Sequence, residues 1–166
     1  MTRGQISKMV ALAANLSGSA SNQVFEDVEP SSTFYEPIQQ LASRGYIGGY
    51  ECGTVTEEPC RPGNRPYFRP GAYTTRGQLT KIVSETAMFA DAPGSQRFAD
   101  VAENSPFYTW INRLASRDII SGYECGTEGK NCDSQNRPYF RPGDLVTRGQ
   151  TAKIVANTFY PNCQTP

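Results

Sequence analysis

Apolar residues recur at helical spacing after each of three copies of one tetrapeptide, Thr-Arg-Gly-Gln. The copies occupy residues 2–5, 75–78 and 147–150. A Thr followed three residues later by Gln, just before an apolar run, is a capping box, in which each side chain bonds the backbone N–H of the other residue. The sequence therefore predicts a long amphipathic helix after each copy, the first over 2–16 and the last over 147–160. The apolar positions are Ile6, Met9 and Val10, then Leu79, Ile82 and Val83, then Ile154, Val155 and Phe159.

A shorter apolar stripe precedes the second and the third long helix. Its spacing of i, i+4, i+7 and i+8 predicts two short helices, each buried along one face. Ser105-Pro106 has the pattern of a cap followed by a first-turn proline, which predicts the start of the second short helix. Gly45 and Asp118, which tolerate a left-handed backbone, are predicted to end the two helices. The stripes are Phe34, Ile38, Leu41 and Ala42, and Phe107, Ile111, Leu114 and Ala115.

Each short helix is followed by a long loop whose two ends are identical in both copies. Residues 49–54 match 122–127, and residues 64–71 match 136–143. Brief extended segments are expected at the entry to these loops. The two loops diverge only between these identical ends, as expected for a tip that faces solvent.

The five cysteines indicate an oxidising compartment. Cys52 and Cys60 bracket the first loop tip, and Cys125 and Cys132 bracket the second. The short spacing favours these two local disulfides, although sequence alone leaves the connectivity open. A zinc site is less favoured, because the spacing lacks tight cysteine hooks and the chain has no His. The fifth cysteine, Cys163, is either free, a link between two chains, or an incidental residue of the tail.

The repeated segments form two and a half copies of one unit. Arg3 and Arg76 are 73 residues apart, and Arg76 and Arg148 are 72 residues apart. We expect a single domain made of a half-repeat, 1–22, and two full repeats, 23–95 and 96–166. Repeat units cannot bury their apolar faces alone, so the unpaired first helix must pack on a neighbour in the same chain or in another.

Composition and charge argue against several classes of function. The 16 basic and 16 acidic residues give a formal net charge of zero, which makes nucleic acid an unexpected partner. The chain has no His, no phosphate-binding loop and no nucleophile elbow, so we expect no enzyme, no cofactor and no metal site. No segment approaches the roughly 18 apolar residues of a membrane span. The first residues do not form a secretory signal, so we expect a signal upstream of Met1 or a natural start other than Met1.

The order of these motifs resembles the S-layer homology domain. Both full repeats carry Phe-x-Asp-Val, a short helix, a Gly-Tyr-x-x-Gly loop, Phe-Arg-Pro and a Thr-Arg helix. The resemblance implies a mainly α, pseudo-threefold spindle of tandem helix–loop–helix repeats with short extended segments. It also implies an extracellular module that attaches surface proteins noncovalently to cell-wall polysaccharide. The chain differs in having Gln where the family has Glu, a longer loop with two cysteines, and no first half-repeat.

The arginine of the tetrapeptide is the main candidate for ligand binding. In the family it resembles, this arginine lines grooves that receive acidic sugars, which implies such a role for Arg3, Arg76 and Arg148. A guanidinium beside the free N–H groups of a helix N-terminus is also well suited to hold a carboxylate. The alternative is structural, with each arginine paired to Asp27, Asp100 or another acidic residue.

Two further residue types belong to the same candidate site. Gly4, Gly77 and Gly149 each lower helix propensity by roughly 1 kcal/mol relative to Ala, which indicates the close approach of a ligand or of other protein atoms. Tyr50 and Tyr123 flank the loops and could stack on sugar rings. Packing within the core or the loops is the alternative role for these tyrosines.

Two hypotheses of function follow from these features. In the first, the chain is a noncatalytic cell-surface module that attaches to acidic cell-envelope polysaccharide. In the second, it is a self-assembling subunit of a surface layer or an extracellular filament. That homo-oligomer or polymer would form because the half-repeat packs on a neighbouring chain.

Overall fold

The computed structural model describes residues 1–18, 22–127 and 131–163, and this part of the chain is mainly helical. It contains five α-helices and one short 3-10 helix, Pro161–Cys163. Within these residues the extended backbone is limited to isolated antiparallel bridges, and no strand forms. The predicted mainly α fold is confirmed.

The first compact unit, residues 1–74, contains one long and one short helix. Helix α1, Arg3–Ala13, packs against helix α2, Tyr35–Ala42. The chain then returns to the start of α1, where Thr2 and Tyr73 form an isolated bridge. The facing apolar side chains are fully buried, which explains why the two helices associate. They include Ile6, Val10, Ile38 and Leu41.

The second compact unit, residues 75–166, repeats this arrangement and adds one helix. Helix α3, Arg76–Thr86, packs against α4, Tyr108–Ala115. Thr75 and Leu145 form the bridge that corresponds to the one in the first unit. Helix α5, Arg148–Phe159, follows and contacts α3. The three long helices are therefore α1, α3 and α5, and the two short helices are α2 and α4.

All three long helices begin with the predicted capping box. At α1, the Gln5 N–H donates to the Thr2 hydroxyl at 3.4 Å, and the Thr2 N–H donates to the Gln5 side-chain oxygen at 3.1 Å. Helix α1 ends at Ala13, three residues earlier than predicted, because Asn15 takes a left-handed backbone with φ of 50°. Helix α5 ends at Phe159, one residue before its predicted end.

The second short helix begins later than the sequence predicts. Its N-cap residue is Phe107, whose side chain makes no capping bond, and the helix starts at Tyr108. The predicted cap, Ser105, accepts a hydrogen bond from the Phe107 N–H at 3.4 Å in the turn before the helix. A Ser hydroxyl can stabilise such a turn as readily as a helix start, which is why the prediction was wrong. The predicted helix ends are confirmed, since Gly45 and Asp118 have φ of 75° and 55°.

A pair of phenylalanines forms the centre of each unit. The rings of Phe25 and Phe68 lie 5.0 Å apart in the first unit, and those of Phe98 and Phe140 lie 5.2 Å apart in the second. All four side chains are at most 2% exposed. Burying such a side chain contributes roughly 1.5–3 kcal/mol. Each pair therefore fastens the segment before the short helix to the segment after the loop.

Both loops are closed by the predicted disulfides, Cys52–Cys60 and Cys125–Cys132. These pairings rule out the zinc alternative for the same four residues. Cys163 ends the 3-10 helix, and its side chain lies outside the described structure.

The compact units begin at the tetrapeptide, whereas the repeats read from the sequence begin at Phe-x-Asp-Val. The reason is that each of the first two long helices packs on the short helix that follows it. Helix α1 of the half-repeat is therefore not an unpaired element, because α2 of its own unit covers it. The boundaries 1–22, 23–95 and 96–166 stay a prediction.

Candidate functional site

Arg3 is held by the loop of its own unit and is only 8% exposed. Its Nε donates to the carbonyl oxygen of Phe68 at 2.7 Å, and its Nη2 donates to that of Gly48 at 2.8 Å. The backbone N–H groups of Arg3 and Gly4 donate to the carbonyl oxygens of residues 72 and 70, at 2.8 and 2.9 Å. The loop thus satisfies the donors that the first turn of α1 leaves free.

Arg76 occupies the equivalent position in the second unit and is 5% exposed. Its Nε donates to the carbonyl oxygen of Phe140 at 2.8 Å. The N–H groups of Arg76 and Gly77 donate to the carbonyl oxygens of residues 144 and 142, at 2.8 and 2.9 Å. We call residues 68–72 and 140–144, which accept these bonds, the Phe-Arg-Pro segments.

The glycine after each of these arginines has no room for a side chain. A Cβ atom built on Gly4 would lie 2.7 Å from the Phe34 ring, and one built on Gly77 would lie 2.5 Å from the Phe107 ring. The two phenylalanines are the N-cap residues of the short helices. The close approach predicted from the glycines is therefore that of an aromatic ring of the same unit.

The third copy of the motif is open. Arg148 and Gly149 are exposed, and a Cβ atom on Gly149 would meet nothing within 4 Å. Within residues 1–18, 22–127 and 131–163, no carbonyl group accepts from the N–H of either residue, and the guanidinium of Arg148 has no hydrogen bond or ion pair. Sequence reasoning treated the three copies as equivalent, and the structure separates two covered starts from one uncovered start.

The aspartates proposed as partners of the arginines have another role. The carboxylate of Asp27 accepts from the N–H groups of Phe68 and Arg69, each at 2.6 Å. Asp100 makes the same two contacts in the second unit, each at 2.7 Å. These bonds hold the Phe-Arg-Pro segment, where Arg69 has a left-handed φ of 59°. The hydrogen-bond partner of Arg3 and of Arg76 is a carbonyl oxygen, not an aspartate, so the predicted pairing was wrong.

Each buried arginine also lies against aromatic rings. The guanidinium carbon of Arg3 is 4.2 Å from the ring centre of Phe68 and 5.4 Å from that of Tyr50. In the second unit, the guanidinium carbon of Arg76 is 4.4 Å from the ring centre of Phe140 and 5.2 Å from that of Tyr123. Contacts of this kind contribute about 0.5–2 kcal/mol. Tyr50 and Tyr123 thus lie next to the arginines of the covered helix starts.

The disulfide-closed loop of the first unit supports this arrangement. Arg69 stacks on Tyr50 at 3.9 Å and binds both carboxylate oxygens of Glu58, at 2.6 and 2.8 Å. Glu58 lies between Cys52 and Cys60. The hydrogen bond from Arg69 lowers the pKa of the Glu58 carboxyl below its usual value. The loop tip is therefore connected by charge and stacking to the start of α1.

A cavity of about 170 Å³ opens in the second unit beside Arg76. Residues 119–123 form one wall, and Gln150, Lys153 and Ile154 of α5 form another. The Gln150 side-chain nitrogen donates to the Tyr123 hydroxyl at 3.0 Å. Sequence reasoning placed Arg76 and Tyr123 in the candidate site but missed Gln150 and Lys153. The available signal was their position on α5, three residues apart and hence on one face of the helix.

Two cationic side chains, Arg76 and Lys153, line the cavity, and Arg76 has N–H donors that are not hydrogen-bonded to the described residues. Arg76 makes one side-chain hydrogen bond, through Nε, so both Nη atoms remain without a hydrogen-bond partner among the described residues. Burial lowers the pKa of Arg76, while nearby Tyr123 and Asp144 raise it. An arginine nevertheless stays protonated at neutral pH, because the guanidinium is effectively always charged in proteins. The arrangement can therefore bind an anionic group.

Two other features are absent from the described residues. None of the helices there is both long enough and apolar enough to cross a lipid bilayer. The described residues also contain no group of three or more His, Cys, Asp or Glu placed to hold a metal ion.

Comparison with known proteins agrees with the architecture described above. The model of the S-layer homology domain matches residues 24–80 and 97–152, which is more than half of the chain. No curated protein matches the chain significantly. Each matched segment runs from Phe-x-Asp-Val through the short helix and the loop into the next long helix. With both of its short helices and both of its stapled loops inside these matches, the chain belongs to the S-layer homology domain family.

Proposed function

We propose that this protein attaches to acidic cell-envelope polysaccharide and that the cavity of the second unit binds an acidic sugar. Membership of the S-layer homology family makes the chain a cell-surface module that binds cell-envelope polymers. The two disulfides agree with an extracellular location. The acidic character of the polymer, the binding residues and secretion are the proposed part.

The observation that supports an acidic ligand is the set of donors around the cavity. Arg76 offers two free Nη atoms, Lys153 offers an exposed ammonium, and Gln150 offers an amide. Charge-assisted hydrogen bonds to a carboxylate are roughly twice as strong as neutral ones. Tyr123 also lines the cavity, where its hydroxyl accepts from Gln150, while Arg141 stacks on its ring at 4.2 Å. A carboxylated sugar therefore fits the chemistry of this cavity better than a neutral one.

The other predicted residues contribute in different ways. Two side-chain nitrogens of Arg3 donate to loop carbonyl groups, so we propose that Arg3 mainly stabilises the structure of its unit. Gly4 and Gly77 make room for phenylalanine rings, and Tyr50 lies against Arg3 and Arg69. Arg148 and Gly149 are exposed and do not line the cavity. Of the original set, Arg76 and Tyr123 carry the proposal.

The test is a binding assay with purified cell-envelope polysaccharide. Lys153→Ala removes one cation from the cavity wall, while Lys8→Ala, at the equivalent exposed position of α1, is the matched control. Loss of one charge-assisted contact of about 1.4 kcal/mol would weaken binding roughly tenfold. We expect that effect for Lys153→Ala, none for Lys8→Ala, and weak binding of polysaccharide whose carboxyl groups have been reduced. If both variants bound the polysaccharide equally well, the cavity would not be its binding site.

The alternative of self-assembly loses its original basis in this structure. It was inferred from a half-repeat that needed a neighbouring chain, and α1 is covered by α2 of its own unit. The long helix that lacks a short-helix partner is α5, at the other end of the described chain.

A further inference from the structure

Gln150 links the N-cap of α5 to the wall of the cavity. Its side-chain oxygen accepts from the Thr147 N–H at 3.1 Å, and its side-chain nitrogen donates to the Tyr123 hydroxyl at 3.0 Å. The capping box fixes the orientation of the amide, because a backbone N–H can donate only to the amide oxygen. The amide nitrogen must therefore face Tyr123, and the tyrosine hydroxyl is the acceptor in their hydrogen bond.

The direction of this hydrogen bond determines what Tyr123 can offer to a ligand. A phenolic hydroxyl has one hydrogen to donate, and the nitrogen of an amide side chain is a donor only. The Tyr123 hydrogen is therefore not used by Gln150, and no residue in the described ranges 1–18, 22–127 and 131–163 accepts it. Because Tyr123 lines the cavity, its hydroxyl is a further donor there, beside Arg76 and Lys153.

The cavity wall is correspondingly poor in acceptors that carry charge. No carboxylate lines the cavity among the described residues. The side-chain oxygen of Gln150 is already bonded to the Thr147 N–H, so it offers little to a ligand. A glutamate side chain has nearly the same shape as glutamine, but its ionised oxygens only accept. At position 150 it would take up the Tyr123 hydrogen and bring a negative charge into the wall.

We propose that Gln150 determines the charge selectivity of the cavity. Its amide keeps the Tyr123 hydroxyl available as a donor to a bound carboxylate, and it keeps negative charge away from Arg76 and Lys153. This inference rests on the proposed function, because it specifies how the same cavity recognises an acidic sugar. Gln150 is then a specificity-determining residue, and the Tyr123 hydroxyl contacts the carboxylate of the sugar directly.

The variant that tests this role is Gln150→Glu. The start of α5 should tolerate it, since Glu serves in a capping box as Gln does and a negative side chain is favourable near a helix N-terminus. The matched control is Gln5→Glu, which makes the same change in the capping box of α1. Gln5 is exposed and does not line the cavity.

The first measurement needs no ligand. Ultraviolet resonance Raman spectra distinguish tyrosine hydroxyls that donate from those that accept, and subtracting the spectrum of Tyr123→Phe isolates the signal of Tyr123. We expect an accepting hydroxyl in the wild type and a strongly donating one in Gln150→Glu. The same Tyr123 signal in both proteins would overturn the assigned direction of the hydrogen bond and with it the proposal.

The second measurement is binding to purified cell-envelope polysaccharide with its carboxyl groups intact. We expect Gln150→Glu to weaken binding by at least roughly tenfold and Gln5→Glu to leave it unchanged. Tyr123→Phe should also weaken binding roughly tenfold in the wild type, but by less than about twofold when combined with Gln150→Glu. The effects are non-additive because the hydroxyl hydrogen is already taken by the new carboxylate.

The outcomes separate this inference from the proposed function. If Lys153→Ala weakened binding and Gln150→Glu did not, the cavity would bind the polysaccharide and the role of Gln150 would be wrong. If neither substitution weakened binding, the proposed function and this inference would both be wrong. Equal effects of Tyr123→Phe with and without Gln150→Glu would overturn the role of the tyrosine as a donor.

Discussion

Helices α3 and α5 have the same N-cap threonine and the same first three residues, Arg-Gly-Gln, and they differ in what lies over them. At α3, the arginine is 5% exposed and a phenylalanine ring covers the glycine. At α5, both residues are exposed and the capping box is still complete. The tetrapeptide therefore encodes the start of a helix locally. Whether that start is buried depends on a short helix and a Phe-Arg-Pro segment that follow in the chain.

A bulky substitution of the glycine is expected to give the largest difference in stability between the two helix starts. In Gly77→Leu, the new Cβ would lie 2.5 Å from the Phe107 ring, so the short helix must move. Overpacking of this kind costs about 3 kcal/mol at the upper end of its usual range. In Gly149→Leu, the new Cβ would meet no atom within 4 Å, so we expect no destabilisation of the protein. Urea unfolding of both variants measures the contrast, and equal losses would contradict it.

Removing the guanidinium should give the next largest difference. Arg76→Met leaves the Phe140 carbonyl group buried without its side-chain donor and removes the stacking on Tyr123. We expect a loss of about 2 kcal/mol in the free energy of unfolding. Arg148→Met should change it by less than about 0.5 kcal/mol, because that side chain is exposed. Thermal unfolding followed by circular dichroism compares the two, and a similar loss in both would refute the distinction.

A smaller effect of opposite sign is expected when the exposed glycine becomes alanine. Gly149→Ala should raise the free energy of unfolding by up to about 1 kcal/mol, since alanine favours the helix and nothing opposes its methyl group. Gly77→Ala should lower that free energy, because even one methyl group meets the Phe107 ring. If both substitutions changed the free energy of unfolding in the same direction, the two glycines would have equivalent surroundings.

The smallest effect is expected from pH. The Glu58 carboxyl has a pKa below its usual value, so its stabilising contact with Arg69 is complete above about pH 4.3. The contact is lost as the pH falls through the lowered pKa. Amide shifts around Tyr50 should change below pH 4, while those of α5 should not follow the same titration. Glu58→Gln should remove the transition at Tyr50, and its persistence in that variant would assign it to another group.

Much of the fold was predictable from sequence because it depends on local chemistry. The capping boxes, the ends of the short helices and the two disulfides follow from residue types at short spacing, and each is confirmed. The start of α4 was mispredicted, because Ser105 can stabilise a turn as well as a helix. The candidate site was harder, since it depends on contacts between residues more than 60 positions apart, such as Arg76 and Phe140.

Sequence identity also concealed the difference among the three arginines. Arg3, Arg76 and Arg148 have the same neighbours in the chain, so no local pattern separates them. The acceptors that bury the first two are carbonyl groups, which every residue possesses and which leave no signature in a sequence. Lys153 has no sequence signature either, because only the fold places it beside Arg76.

The most direct test of covered and uncovered helix starts is the reactivity of the three arginines. The folded protein would be treated with phenylglyoxal, which modifies accessible guanidinium groups, and the modified positions would be mapped by peptide mass spectrometry. We predict rapid modification of Arg148 and protection of Arg3 and Arg76, which are 8% and 5% exposed. The protection should vanish in urea. Equal reactivity of the three arginines in the folded protein would contradict the account.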